Sequence, residues 1–195
     1  NIEKLTQNSL STDERTKIFN KIQVKIQHIN KTISALLSLT SSEFRRADKV
    51  PLLAVIQDII LEVKASEALN TKILTKVPED LTVLGEESEV RSILHTLLIN
   101  AAEADTKKLG ITIEAFEDSD NRVTVNVIDQ GGGLDENIAK SLFLPHITNK
   151  PEGAGMGLYV SNRLISIYYS GELKIKNNDT NGCTATAIFN VKDSK

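Results

Sequence analysis

Three short stretches of the chain carry residues suited to handling a phosphorylated purine. In "VIDQGGGLD", Asp129 closes an apolar run and is followed, after Gln130, by Gly131, Gly132 and Gly133. A carboxylate at a strand end can accept from an exocyclic amine, and glycines let a flat ring approach the main chain. In "GAGMGLYV", Gly153, Gly155 and Gly157 lead into an apolar helical pattern beginning near Leu158. Glycines in that place permit positive φ and open the N–H groups of a helix start to a polyphosphate. In "LHTLLINAAEA", Asn100 and Glu103 fall three positions apart, on one face of a helix. An Asn oxygen serves Mg²⁺ well where phosphate oxygens supply most of the remaining coordination.

Each stretch alone has an ordinary reading. Asp-x-Gly-x-Gly occurs in many turns, and Asn100 and Glu103 could be solvated helix residues. Gly-x-Gly-x-Gly before a helix resembles the start of a dinucleotide fold, but "LPHITNKPE" ahead of Gly153 is loop-like where that fold needs a strand.

The elements that must position these residues follow from the pattern. Ser11 or Thr12, with Asp13 and Glu14 after them, starts a helix. Phe19, Ile22, Ile26, Ile29, Ile33 and Leu36 then form a heptad seam that needs another helix to bury against. "RRADKV" reads as a charged connector, and Pro51 suits the first turn of a second helix, "PLLAVIQDIILEVKASEAL". "TKILTKV" and "LTVLG" read as strands on either side of the turn "PED". "EESEVRSILHTLLINAAEADTKKLG" is a strong helix with Gly110 as its expected stop. "ITIEAFED" and "RVTVNVID" alternate as a hairpin pair, and the glycine-rich stretch leads to a helix and two more strands. Helices mixed with mainly antiparallel strands predict a two-layer α/β sandwich, preceded by an N-terminal bundle helix.

The order of motifs is specific in combination: Asn on a helix, Asp-x-Gly-x-Gly after a strand, a short lid, then Gly-x-Gly-x-Gly before a helix. Over roughly residues 51 to 191 the chain resembles the ATP-binding (Bergerat-type) domain of gyrases, heat-shock chaperones, mismatch-repair ATPases and sensor histidine kinases. The resemblance implies ATP and Mg²⁺ as cofactors. It implies that Asn100 binds Mg²⁺, with Glu103 beside it, and that Asp129 holds the adenine amino group. Gly131 and Gly133 would then shape the base pocket, and Thr184 would support Asp129 from a neighbouring strand. Gly153, Gly155, Gly157 and Leu158 would line the triphosphate.

Within that superfamily the hydrolases carry a water-activating Glu one turn before the Asn; here the position is Thr96, which cannot act as a general base. The lid "LFLPHITNKPEGAGMGL" is similar to that of sensor histidine kinases through Phe143, Pro145, Thr148 and Lys150, with His146 and Asn149 as departures. Two readings stand for Lys150, a phosphate contact or a solvated lid lysine, and His146 is weighed as a nucleotide contact without being assigned as one. "LINAAEA" and the short lid resemble the nitrogen-regulator type. Residues 1–46 look like the second helix of the family's dimerisation hairpin, with residues 47–195 as the catalytic domain.

That resemblance implies transfer of the ATP γ-phosphoryl to a His upstream of this stretch, relay to an Asp of a response-regulator receiver domain, and a homodimer through the hairpin. His28 is not followed by the acidic residue and proline expected beside a phosphoacceptor, so no catalytic His is assigned. Two other readings stay open: a non-catalytic nucleotide-binding module, and an anti-sigma-type serine kinase, against which the heptad helix speaks.

The net charge of −3 gives no electrostatic case for nucleic acid or an anionic membrane. One cysteine, Cys183, makes no internal disulfide, and no apolar run reaches the length of a membrane span. Asn1 at the start and Met156 as the single methionine make a cytoplasmic piece of a longer protein the expectation, with an inner-membrane sensor as one form of the whole.

Overall fold

The computed structural model describes residues 48–65, 71–139, 141–145, 147 and 155–190, with positions 11, 14–16, 18, 19 and 22 near the start. At that start Ser11 caps as expected: its Oγ accepts from the Glu14 amide at 3.3 Å, while the Glu14 carboxylate accepts from the Ser11 amide and hydroxyl.

The elements run β1 (Asp48–Pro51), α1 (Leu52–Ala65), β2 (Ile73–Lys76), β3 (Thr82–Gly85) and α2 (Glu87–Ala104). They continue as β4 (Ile111–Glu117), β5 (Arg122–Ile128), α3 (Glu136–Ala139), α4 (Gly157–Tyr168), β6 (Glu172–Asn177) and β7 (Cys183–Asn190). Among the described residues the main sheet has the order β2-β4-β5-β7-β6, parallel at β2-β4 and antiparallel elsewhere.

Strict alternation explains why the helices cover one face. Ile111, Ile113 and Ala115 on β4 point the same way as Val123, Val125 and Val127 on β5 and Ala185, Ala187 and Phe189 on β7. Against them pack Ile56, Ile59 and Val63 of α1, Ile93, Leu94, Leu97 and Leu98 of α2, and Val160, Leu164 and Ile165 of α4. Each such buried side chain contributes roughly 1.5–3 kcal/mol through burial. On the other face Lys76 pairs with Glu114 at 2.7 Å and the Thr186 hydroxyl donates to Asn126 at 2.8 Å, beside the apolar Phe116, Ile128 and Ile188. This is the two-layer sandwich that the pattern predicts.

Three local expectations change. The end of the "charged connector" is strand β1, which pairs antiparallel with β3, and Val50 is its single buried residue. Pro51 therefore ends a strand, and the helix begins at Leu52. Helix α2 stops at Ala104, short of Gly110, because Asp105 takes over its end. The Asp105 carboxylate accepts from the Leu109 amide at 2.9 Å, the Gly110 amide at 3.0 Å and the Thr71 hydroxyl. Gly110, at φ +120°, instead sets the entry to β4.

Candidate functional site

Asp129 follows the last residue of β5 and is buried at 5% exposure. Its main chain extends the ladder to β7, with its amide donating to the Cys183 carbonyl at 2.9 Å. Its Oδ1 accepts from the amides of Gly131 at 2.8 Å and Cys183 at 3.2 Å. Among the described residues no group donates to Oδ2, so one oxygen is fixed and the other remains an acceptor. Burial pushes the carboxyl above its ordinary value and the charge of Asp105 adds to that, while the Gly131 and Cys183 amides oppose it.

The glycines after Asp129 have distinct reasons. A Cβ on Gly131 would lie 2.4 Å from the Ala104 carbonyl oxygen, so the loop is pressed against the end of α2. Gly133 adopts φ +80°, which a side chain would strain, whereas Gly132 has open space around it. The glycine loop after β5 and the Asn100 helix thus meet at Gly131 and Ala104.

The start of α4 meets α2 one turn before Asn100. Gly157 opens α4, and a Cβ there would lie 3.1 Å from Thr96 Cγ2. The Thr96 hydroxyl turns back to the Ser92 carbonyl at 2.9 Å, leaving its methyl against the glycine. Gly155 adopts φ +64° just ahead, and Leu158 packs against the core. Asn100 is partly buried, and Glu103 is exposed on the same helix. Asn100, Glu103, Asp129, Gly131, Gly133, Gly155 and Gly157 therefore lie along α2 or on the two loops that abut it. Lys150 and Gly153, with His146, Thr148, His28 and most of the heptad seam, lie outside the described residues.

Thr184 reaches Asp129 through an intermediary. Its hydroxyl donates to Asn178 Oδ1 at 2.6 Å, and Asn178 Nδ2 donates to the Asp129 carbonyl at 3.0 Å. Asn178, its neighbour Asn177 and Gly182 are absent from the sequence-derived candidates. The one signal was the turn-forming composition of "NNDTNG", which does not say what the turn touches. His95 faces α1, 3.9 Å from Glu62, and belongs with Arg91 to the contact between those helices.

The Cys183 thiol is pushed up by burial and by the Asp129 charge. Among the described residues no group of three His, Cys, Asp or Glu side chains could hold a metal. A cation at Asn100 would have to arrive with most of its ligands, as a nucleotide-bound Mg²⁺ does.

A family model described as histidine kinase-, DNA gyrase B-, and HSP90-like ATPase matches residues 85–193, the stretch that holds this arrangement. The chain belongs to that family. As a member of it, the chain is 27% identical over 169 residues to the signal transduction histidine-protein kinase AtoS of Escherichia coli (strain K12), covering 86% of this chain and 28% of that protein. It is 26% identical over 201 residues to sporulation kinase D of Bacillus subtilis (strain 168), covering 97% and 38%. The chain thus spans about a third of the length of these relatives.

Among solved structures, the catalytic domain of histidine kinase ThkA superposes with a TM-score of 0.67 at 24% identity, over 74% of this chain and 95% of that one. Histidine kinase AdeS of Acinetobacter baumannii superposes with a TM-score of 0.73 at 15% identity, over 95% and 87%. These likenesses show the fold, an α/β sandwich of the histidine kinase catalytic type. Among the described residues no helix is long and apolar enough to cross a membrane.

Proposed function

We propose that this chain is the ATP-binding catalytic part of a sensor histidine kinase, which transfers the γ-phosphoryl of Mg·ATP to a histidine on a helical hairpin for relay to an aspartate of a receiver domain. The observation that carries this is Asp129, buried, with Oδ1 tied to two main-chain amides and Oδ2 left to accept. An adenine amino group is the donor such an oxygen suits, and the Gly131–Gly133 loop beside it offers the flat approach.

One turn back along α2 from the Ala104–Gly131 contact, Asn100 would take a place in the coordination of Mg²⁺, which neutralises charge on the phosphates during transfer. The start of α4 at Gly157, with Gly155 before it, would hold phosphate oxygens on main-chain N–H groups, and Gly153 and Lys150 would extend that cradle. Thr96 supplies no base to activate water, and its methyl rests against the start of α4. The residues of this site therefore position and neutralise, and the nucleophile comes from outside it. The second hairpin helix in residues 1–46, the homodimer through the full hairpin and the nitrogen-regulator type belong to the same reading.

Titration calorimetry of the 195-residue chain with Mg·ATP, followed by labelled ATP and a separately supplied hairpin carrying a phosphoacceptor His, tests it. The expected result is saturable binding and acid-labile, base-stable label on the hairpin. Absence of nucleotide binding overturns the reading, and label on serine of a partner replaces it with a serine kinase.

A further inference from the structure

Two consecutive asparagines at the end of β6 hold the two ends of the loop that follows β5. Asn177 grips Leu134: its Oδ1 accepts from the Leu134 amide at 2.6 Å and its Nδ2 donates to the Leu134 carbonyl at 2.9 Å. Asn178 grips Asp129: its Nδ2 donates to the Asp129 carbonyl at 3.0 Å, and its Oδ1 accepts from Thr184 at 2.6 Å. The partners lie 43 and 49 residues away in the chain.

Between the two grips stand Gly131, Gly132 and Gly133, the residues with the most backbone freedom to lose on ordering. A loop of that composition has to be fixed from outside if it is to present a fixed surface. A carboxamide suits the task because it offers one donor edge and one acceptor edge, the complement of a peptide unit. Closing the β6–β7 turn does not need these bonds, since the Asn178 amide already donates to the Gly182 carbonyl at 2.9 Å. Asn178 Nδ2 also donates to the Asn181 carbonyl at 3.0 Å inside the turn, but both asparagines reach out of it as well, to Asp129 and to Leu134. The Cys183 thiol donates to the same Asn177 Oδ1 at 3.3 Å, and the Cys183 amide donates to Asp129 Oδ1 at 3.2 Å, so the turn meets the loop at both ends.

We propose that Asn177 and Asn178 are positioning residues for base recognition: they hold Asp129 and the glycines after it in the geometry that receives the purine. This rests on the reading that Asp129 accepts from adenine. Neither asparagine is assigned a contact with the base, and both act through the loop.

The test compares the 195-residue chain with Asn177→Ala and Asn178→Ala by calorimetry against Mg·ATP, Mg·GTP and magnesium tripolyphosphate, with melting temperatures alongside. Tripolyphosphate reports the phosphate end without a base. Each substitution is expected to weaken ATP about five- to tenfold, to narrow the preference for ATP over GTP, and to leave tripolyphosphate unchanged. Asn178→Asp keeps the acceptor for Thr184 but cannot donate to Asp129, and it is expected to lose the same preference in a folded chain. Equal weakening of all three ligands, or of none, overturns the clamp while the kinase reading stands. A wild-type chain that binds no ATP overturns the kinase reading and the clamp with it.

Discussion

Asp105 and Asp129 are both almost fully buried, at 3% and 5% exposure, yet their carboxyls are displaced in opposite directions. Burial raises both. At Asp105 the Thr71 hydroxyl and the Gly110 and Leu109 amides outweigh burial, and the carboxyl lies below its ordinary value of 3.8. At Asp129 burial prevails over the Gly131 and Cys183 amides, and the nearby Asp105 charge adds to the rise. One carboxylate is fully served by donors and ends a helix, while the other has its donors on one oxygen only.

Asp129→Asn should separate stability from binding. Because the folded value of Asp129 is raised, the chain loses stability as pH rises from 3.8 through that value, and the ionised group is a cost at pH 7. Asparagine keeps an oxygen for Gly131 and carries no charge, so the ligand-free variant should melt about 2 °C or more above wild type at pH 7. The difference should disappear below pH 3.8, where both chains are neutral at this position. Its ATP affinity should fall by tenfold or more (roughly the worth of a charge-assisted bond), read by calorimetry. A variant that melts lower at pH 7 contradicts the cost assigned to this carboxylate.

Asp105→Asn should behave oppositely. A lowered folded value gives stability that is fully present above 3.8 and lost as pH falls through the folded value. An amide in its place turns a donor toward Leu109, or toward Thr71 and Gly110, for a loss of about 2 kcal/mol in urea unfolding at pH 7. The loss should shrink in acid. An unchanged urea midpoint at pH 7 would remove the helix-ending role given to this residue.

Which of this was legible in the sequence depends on how local the cause was. The β4–β5 hairpin was readable because Ile111, Ile113 and Ala115 alternate with polar residues and the turn is short. Asp129 and its glycines were readable as one cluster because they are adjacent in the chain. Strand β1 was not, since "DKVP" is polar and pairs only because β3 lies beside it in the fold. The end of α2 was misplaced at Gly110 because the competing signal, Asp105, works through its own partners Thr71, Leu109 and Gly110, of which Thr71 is 34 residues away. Asn177 and Asn178 look like turn residues until their partners on the far loop are seen.

Adjacent glycines should tolerate alanine very differently. Gly132→Ala meets open space and should change neither melting temperature nor ATP affinity measurably. Gly131→Ala drives a methyl into the Ala104 carbonyl, and Gly182→Ala, at φ +80°, drives one into the Asp129 carbonyl. Both obstacles are backbone, which cannot rotate away, so each should cost about 2–4 kcal/mol or displace Asp129 and lose ATP. Equal tolerance at Gly131 and Gly132 in thermal melts would mean that the loop is not pressed against α2.

Removing the metal should separate the two ends of the site. If Asn100 contributes an oxygen to nucleotide-bound Mg²⁺, ATP affinity in wild type should fall when Mg²⁺ is chelated, and Asn100→Ala should fall to a similar level with Mg²⁺ present. If the Asp129 end receives the base alone, adenosine, which has no phosphates to bring a cation, should bind wild type and Asn100→Ala alike. It should bind Asp129→Asn more weakly, because the lost acceptor faces the base. Chelation that still weakens ATP binding to Asn100→Ala by the wild-type factor would place the cation on other ligands. A loss of adenosine binding in Asn100→Ala would instead mean that α2 sets the base pocket as well, through the contact of Ala104 with Gly131.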